Sequence, residues 1–147
     1  MENKNNIVPL AGGDERVEQR THKLVSKRLV GEPVSIGEGV AEVRLVTTNE
    51  MIVDEYGLVH GGFTFGLADY AAMLAVNEPT VVLGQAEVKF TKPVRLGDEL
   101  VARAKVVASE GRKRIVEVAV QNQNGEIVLT GTMKCYVLEK HVLAPKE

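Results

Sequence analysis

Hydrophobic and polar residues change their spacing along the 147-residue chain, and each change predicts an element. Between residues 15 and 30, apolar side chains recur at steps of three and four with Arg and Lys between them, which predicts an amphipathic helix. Asp14 precedes this helix, and Gly31 and Pro33 follow it at positions typical of a helix end. The period then becomes two, so residues 39–47 predict a strand with one buried face.

The middle of the chain carries a segment that is apolar on nearly every side. Residues 62–77 are almost wholly apolar or small, and Asp69 is their one charge. A helix that is apolar nearly all round must be buried nearly all round, and about 16 residues are too few to span a bilayer. The segment therefore predicts a helix inside the core.

Four further stretches alternate between apolar and polar residues and predict strands at residues 81–91, 99–109, 114–121 and 126–138. Their links are short, and short links join antiparallel neighbours because a parallel crossover needs a dozen or more residues. Asn124-Gly125 is typical of a type I′ hairpin turn. The inward strand faces are rich in Ala and Gly, which favours an α+β fold with a curved antiparallel sheet around the one central helix.

The length suits a single domain, predicted over residues 14–140, with tails at 1–13 and 141–147. The polar N-terminus lacks the pattern of a secretion signal, so the expected compartment is the cytoplasm. A net charge of −2 and aromatic residues at only 4% argue against nucleic-acid and membrane partners. Cys135 is the single cysteine and is predicted to be a buried apolar residue. The three histidines show no metal-ligand spacing, so no metal is expected.

The stretch Gly-Leu-Val-His-Gly-Gly-Phe-Thr-Phe-Gly-Leu-Ala-Asp-Tyr-Ala at residues 57–71 resembles the signature of hotdog-fold acyl-CoA thioesterases of the phenylacetic-acid-pathway type. That signature is His-Gly-Gly at the start of the central helix with an acid nine residues after the His. The resemblance covers roughly residues 33–138, including the turn at 92–98. It implies a hotdog fold and hydrolysis of a small or medium acyl-CoA, with coenzyme A as part of the substrate and no cofactor. It also implies a homodimer with two identical interface sites, and a tetramer as a dimer of dimers.

Thioester hydrolysis fits the same residues. Negative charge develops on the carbonyl oxygen, and the polarised N–H groups of Gly61 and Gly62 at the helix N-terminus could stabilise it. A carboxylate must then attack the carbonyl or activate water, and Asp69 is the candidate, with a pKa that burial would raise. His60 is a further candidate, either for the reaction itself or for orienting the turn before the helix.

Helix geometry separates these groups within one chain. From His60 to Asp69 the helix turns through about 900° and rises by about 13 Å, so the two residues face opposite directions. Gly61 and Asp69 of one chain therefore cannot grip one carbonyl, whereas two chains related by a two-fold axis could bring these two residues together.

One position departs from the family pattern. Six residues before the His, where the family commonly carries Asn or Gln, this chain has Asp54. An ionised carboxylate would repel a developing oxyanion unless it holds water, meets a substrate donor or is protonated. Asp54 is therefore a candidate second acid or base, or else a sign of an unusual substrate or of weak catalysis.

Other side chains could bind the substrate. The candidates for the phosphates of coenzyme A are basic: Lys89, Lys92, Arg95, Arg112, Lys113 and Arg114. The candidates for an apolar acyl slot lie on the central helix: Phe63, Phe65, Tyr70 and Met73. Each of these residues could equally be an ordinary surface charge or a core side chain.

Two other functions stay open from the sequence. Hotdog domains also serve as ligand domains of lipid-responsive regulators, so a non-catalytic acyl-CoA-binding sensor is the alternative. That alternative would need a DNA-binding segment, and the N-terminal 30 or so residues predict one helix, too little for a helix-turn-helix. A hydratase or dehydratase of the same fold would need an Asn-Pro-x-His pattern, which the sequence lacks.

Overall fold

The computed structural model describes residues 16–145. Six strands, one α-helix and one short 3-10 turn (Asn49–Met51) make up this part of the chain. The bounds are β1 Glu32–Gly37, β2 Val40–Val46, α1 Gly61–Val76, β3 Val81–Phe90, β4 Glu99–Glu110, β5 Lys113–Gln121 and β6 Ile127–Val137.

All six strands form one antiparallel sheet in the order β1-β2-β4-β5-β6-β3. The sheet curves around α1, which packs against every strand. The predicted architecture, a curved antiparallel sheet around a single long helix, is confirmed. β3 returns from the helix to the far edge of the sheet, where it pairs with β6.

The core lies between the inner face of the sheet and α1. Leu67, Ala71 and Leu74 on the helix are fully buried. The strands meet them with alternate residues of small or branched shape: Val43, Leu45, Leu100, Ala102, Val116, Val118, Val120 and Met133. The Ala residues let the sheet close on the helix, and each fully buried Leu contributes roughly 1.5–3 kcal/mol relative to an exposed one.

The predicted N-terminal helix is wrong for the residues that the structure describes. Residues 16–30 form turns and extended backbone instead. The backbone N–H of Val17 donates to Ile36 O at 2.8 Å, and the side chain of Asn77 at the end of α1 bonds the backbone of Glu18 and Arg20. These distant partners satisfy backbone groups that a helix would have paired internally. The predicted start at Asp14 lies outside the described residues.

β1 was not anticipated, because Gly31 and Pro33 favoured a helix end. Gly31 has φ +140°, and a Cβ there would lie 2.8 Å from Val43 Cγ1 and 2.9 Å from Leu67 Cδ1. Glycine is therefore required where the chain crosses the core to begin β1. The strand predicted at 39–47 is observed as β2, Val40–Val46.

Two local details also differ from the sequence prediction. The pairing of β3 with β6 shifts between Leu83 and Gln85, which breaks the regular alternation expected along β3. In the β5–β6 link, Gly125 has φ +78°, but Asn124 is not among the described residues with positive φ. The turn is therefore not type I′; the bond from Gly125 N to Asn122 O fits a longer loop that ends in a left-handed glycine.

Candidate active site

A hydrogen-bonded loop fixes the start of α1. Ile52 and Val59 form an antiparallel bridge, and Val59 N donates to Val94 O at 2.8 Å. His60 N then donates to Met51 O at 2.9 Å, and His60 is the N-cap residue with extended backbone. The first helical residues are thereby held at a defined position against the sheet.

The first two amides of α1, those of Gly61 and Gly62, have no acceptor within the helix. Phe63 N donates to His60 O at 3.0 Å, which leaves the N–H groups of Gly61 and Gly62 outside the helical ladder. A Cβ on Gly61 would lie 3.3 Å from Phe90 Cε1, and one on Gly62 would lie 3.1 Å from His60 Nε2. An aromatic ring therefore borders each glycine, Gly62 itself stays exposed, and the absence of a Cβ lets a ligand approach the two amides closely.

Asp69 carries the most perturbed carboxylate of the described residues. Its Oδ1 is buried and has no hydrogen-bond partner within residues 16–145. Burial raises its pKa from 3.8 to about 6. An unpaired buried polar atom costs roughly 1–3 kcal/mol, and a cost of this kind is typical of functional groups.

Gly62, Gly66 and Asp69 lie on one face of α1, at spacings of four and three residues. A Cβ placed on Gly66 would meet no described atom within 4 Å, and the backbone of Gly62 is exposed. This face is therefore an open strip that leads from the amide end of the helix to the carboxylate.

The structure assigns Asp54 to a turn. Its Oδ1 accepts hydrogen bonds from the backbone N–H of Tyr56 at 3.0 Å and of Leu58 at 3.2 Å. Its carbonyl oxygen accepts from Gly57 N at 3.1 Å. The side chain thus stabilises the loop that leads to His60. Sequence reasoning missed this bond pattern, although an Asp side chain that bonds the backbone two residues on, with Gly57 three residues on, is typical of a turn.

The six basic candidates for phosphate binding fall into separate groups. Arg114 pairs with Cys135 on β6, whereas Lys89 pairs with Thr130, and Lys92 makes a 3.5 Å ion pair with Glu126. Glu126, which pairs with Lys92, directly precedes the start of β6 at position 127. Cys135, opposite Arg114, lies about eight residues further along the strand, or roughly 26 Å. Within one chain, two basic groups therefore cannot bind the same phosphate. One group is Lys92 and Arg95, and the other is Arg112, Lys113 and Arg114.

The four apolar candidates also divide. Met73 and Tyr70 are core residues, at 1% and 5% exposure. Phe63 and Phe65 are half-buried and stay accessible to a ligand. Phe63 packs edge-on against His60, with ring centroids 6.2 Å apart. The accessible aromatic surface is therefore at the amide end of α1.

Residues 56–129, about half of the chain, match the family model described as Thioesterase superfamily. The chain belongs to the thioesterase superfamily. The matched region includes α1, with its start at His60 and Gly61, and the strands β3 to β5.

Curated relatives of this superfamily member carry different names. A methylthioribose-1-phosphate isomerase of Aquifex aeolicus is 54% identical over 99 residues, which are 67% of this chain but 22% of that protein. Transcription factor FapR of a Thermoanaerobacter species is 26% identical over 110 residues, 74% of this chain and 55% of that protein. The chain thus spans about a fifth of the first relative and about half of the second.

Several solved structures share the fold of this chain. An uncharacterized protein of Pyrococcus horikoshii shares 68% identity at a TM-score of 0.87, over 88% of this chain and 99% of that chain. The PaaI protein of E. coli shares 27% at 0.69, over 75% and 80%. A Streptococcus mutans protein bound to acetyl CoA shares 25% at 0.72, over 82% and 97%. The chain therefore has the hotdog fold.

Sequence reasoning missed one cluster of this thioesterase-superfamily chain. The side-chain amide of Gln19 donates to the backbone oxygens of Thr21 and His22 and to the Tyr70 hydroxyl, at 2.9, 3.2 and 3.1 Å. The His22 ring faces the Tyr70 ring at 6.4 Å. No local pattern reveals the cluster, because Tyr70 is about fifty residues away from Gln19 and His22 in the chain.

Within residues 16–145, no three His, Cys, Asp or Glu side chains are grouped as a metal site. The only α-helix of the described part, α1, does not meet the length and hydropathy of a membrane span.

Proposed function

We propose that the chain hydrolyses the thioester of a small or medium acyl-CoA, with Asp69 as the catalytic carboxylate. The observation that carries the proposal is the buried Oδ1 of Asp69, which has no hydrogen-bond partner within residues 16–145. It lies on the helix whose first amides, of Gly61 and Gly62, stand outside the helical hydrogen-bond ladder. A pKa of about 6 leaves this carboxyl mostly ionised at neutral pH, yet basic enough to accept a proton. The acetyl CoA bound to the similar Streptococcus mutans protein supports the substrate class.

The reaction needs two kinds of group from α1: the amides at its start and the carboxylate of Asp69. In the general-base route, the Asp69 carboxylate takes a proton from water while the water oxygen attacks the carbonyl carbon. The N–H groups of Gly61 and Gly62 stabilise the resulting oxyanion. Collapse of the intermediate breaks the carbon–sulfur bond, and the coenzyme A thiolate leaves and takes up a proton. In the nucleophilic route, the Asp69 carboxylate attacks the carbonyl carbon, the carbon–sulfur bond breaks and the coenzyme A thiolate leaves and takes up a proton. Water then hydrolyses the mixed anhydride, which releases the carboxylic acid and restores the Asp69 carboxylate.

The catalytic pair comes from two chains in this proposal. Gly61 and Asp69 are eight positions apart on one helix, a rise of about 12 Å, which is too far for one carbonyl. β3 borders the site at two points. Phe90 of β3 packs against Gly61. The charge of Asp69 acts on Cys135 of β6, which pairs with Leu83 of β3. Within residues 16–145 no strand occupies the outer side of β3. Pairing of two such edges about a two-fold axis would set Gly61 of each chain near Asp69 of the other.

His60 has a positioning role in this scheme. Its imidazole lies over Gly62, and its backbone links the loop to the first turn. A tetramer as a dimer of dimers is the larger assembly that we propose, and coenzyme A enters only as part of the substrate.

Free coenzyme A release from a panel of acyl-CoAs tests the activity. We expect Asp69→Asn to lower kcat by about 10²-fold or more, on the scale of a lost general base. Asn keeps the size of the side chain and removes its basicity. Wild-type turnover that survives in Asp69→Asn would refute the assignment.

Mixed dimers test the shared site. Asp69→Asn chains keep Gly61, and Gly61→Pro chains keep Asp69, so a heterodimer of the two has one intact site of two. An equal mixture that exchanges subunits should recover about one quarter of wild-type activity, from random pairing. If both groups act within one chain, the mixture stays inactive.

An acyl-CoA-binding sensor without turnover is the second candidate, favoured by the similarity to Transcription factor FapR. Equilibrium binding of acyl-CoA with no thiol release by the wild type would support the sensor over the hydrolase.

A further inference from the structure

Three described segments line an open, groove-like cavity of about 500 Å³ that the proposed reaction does not use. Its walls are residues 20–23, residues 79–82 at the start of β3, and residues 141–142 after β6. The segments come from distant parts of the sequence, so the cavity is a product of the tertiary fold.

The cavity combines an apolar wall with cationic groups. Pro79, Val81, Val82 and Val142 supply the apolar side. Arg20 and Lys23 supply positive charge, and none of the described residues that line the cavity is a carboxylate. Arg20 makes a 3.6 Å ion pair with Glu78 between exposed side chains, a geometry that contributes little. Within residues 16–145, Lys23 is in no ion pair, so its charge is available to a ligand.

Two histidines in the lining use Nδ1 for local structure and leave Nε2 for a ligand. His141 Nδ1 accepts from Leu143 N at 2.9 Å, so the neutral ring must carry its proton on Nε2. His22 Nδ1 lies 2.7 Å from Thr21 Oγ1. His141 therefore offers an N–H donor beside the two cationic side chains.

The backbone holds His22 in an unusual conformation. Its φ is +57°, which costs about 1–2 kcal/mol for a residue with a Cβ. The side chain of Gln19 fixes this conformation through bonds to Thr21 O and His22 O. Strain that the surroundings enforce is common where a side chain must face a ligand.

The cavity lies beside Tyr70, which follows Asp69 on α1. The His22 ring lies against Tyr70, the next residue of α1 after Asp69. On β3, Val81 and Val82 line the cavity. The next residue, Leu83, pairs with Cys135, and the charge of Asp69 raises the pKa of that thiol. An acyl-CoA bound at Asp69 could therefore extend into the cavity.

We propose that this cavity binds an anionic oxygen group of the acyl-CoA, through Arg20, Lys23 and His141. The group would be either a carboxylate at the far end of the acyl chain or a phosphate of the coenzyme. The inference rests on the proposed function for the identity of the ligand. It adds a preference among acyl-CoAs that the Gly61 and Asp69 chemistry alone does not produce.

Two substrate pairs distinguish the sources of the anion. Glutaryl-CoA and pentanoyl-CoA share a five-carbon chain and differ in the terminal carboxylate. Pentanoyl-CoA and its 3′-dephospho form differ in one phosphate. We expect one pair to show a lower KM for the more anionic member, by roughly three- to tenfold, on the scale of a partly exposed charged hydrogen bond.

Lys23→Met should abolish that contrast with kcat little changed, because a binding contact acts on KM. His141→Asn keeps an acceptor near Nδ1 for Leu143 N and removes the Nε2 donor, so it should weaken the contrast without loss of stability. Lys27→Met, an exposed lysine of the same segment outside the cavity, is the matched control and should leave the contrast intact. No contrast in either pair, or an equal effect of Lys23→Met and Lys27→Met, would overturn the proposal.

A separate measurement covers the case in which no acyl-CoA is hydrolysed. Thermal unfolding with glutarate or adenosine 3′,5′-bisphosphate then reports the cavity directly. Stabilisation that Lys23→Met removes and Lys27→Met retains would support the anion site although the hydrolase proposal had failed. If neither compound raises the unfolding temperature and no acyl-CoA is hydrolysed, both the anion site and the hydrolase proposal are rejected.

Discussion

Asp69 on α1 and Cys135 on β6 share one buried environment. Burial first, and the charge of Asp69 second, raises the pKa of the Cys135 thiol to about 12. Burial alone raises the pKa of Asp69 to about 6. The central helix thus brings its single carboxylate close to β6, the neighbour of β3 at the edge of the described sheet.

Asp69→Asn is expected to stabilise the fold above about pH 6. The folded pKa lies above the value of 3.8 that applies to an unperturbed Asp, so between about pH 4 and 6 the folded chain binds more protons than the unfolded chain. Wild-type stability should therefore fall across this window as pH rises, by at most about 3 kcal/mol. Urea unfolding at several pH values checks this.

The Asn variant should show a flatter profile through the same window, because it has no proton to lose. If the free energy of unfolding of wild type and variant changes in parallel between pH 4 and 6, protonation of Asp69 does not cause the pH dependence of stability.

Gly61→Pro removes one amide donor and little else. Gly61 is the first helical residue, a position that favours Pro, and His60 has the extended backbone that a following Pro requires. We expect kcat to fall by about 10²–10³, as for the loss of an oxyanion donor. Circular dichroism should show an intact helix.

Gly61→Ala is the matched control because it adds a Cβ and keeps the N–H. The Cβ would lie 3.3 Å from Phe90 Cε1, and this ring is 56% exposed and can move. Its kcat should stay within about tenfold of wild type. Equal losses in the two variants would point to crowding at Phe90 instead of a lost donor.

Gly66→Ala separates stability from function. The added Cβ meets no described atom within 4 Å, and Ala is favoured over Gly inside a helix by roughly 0.5–1 kcal/mol. Thermal unfolding should therefore show a more stable chain. Catalytic efficiency should fall, because the acyl group or a second chain would occupy the space above Gly66. Unchanged kcat/KM would show that nothing approaches this part of the helix during turnover.

Asp54 can be tested with an isosteric pair. Asp54→Asn keeps an Oδ1 acceptor for Tyr56 N and Leu58 N, so stability should change by less than about 0.5 kcal/mol. Asp54→Ala loses both bonds and should cost about 1–2 kcal/mol. Chemical unfolding measures both values. If thioester turnover falls as far in Asn as in Ala, the charge of Asp54 takes part in the reaction and the turn is not its main role.

Much of the fold follows from local pattern. The apolar segment around Asp69 predicted α1 to within one residue at each end, and the alternating stretches predicted β3 to β6 closely. The period of a buried helix or a half-buried strand is a local property, so one sequence reveals it. The N-terminal segment shows the opposite case. Val17, Val25 and Leu29 do pack on the core, but side chains of Gln19 and Asn77 hold their backbone in turns.

The site was predictable in its chemistry and less so in its contacts. The burial of Asp69 and of Cys135 could be inferred, because each interrupts or continues an apolar run. The turn made by Asp54 and the separation of Lys92 from Arg114 depend on strand register and loop closure. These are long-range properties that spacing along the chain does not encode.

The open outer side of β3 has a consequence for how activity depends on protein abundance. If each site borrows a residue from a second copy across this edge, a solitary folded chain is intact and catalytically silent. Turnover per chain would then decline on dilution below the dissociation constant of the pair. The amount of protein present would itself act as the control on thioester cleavage.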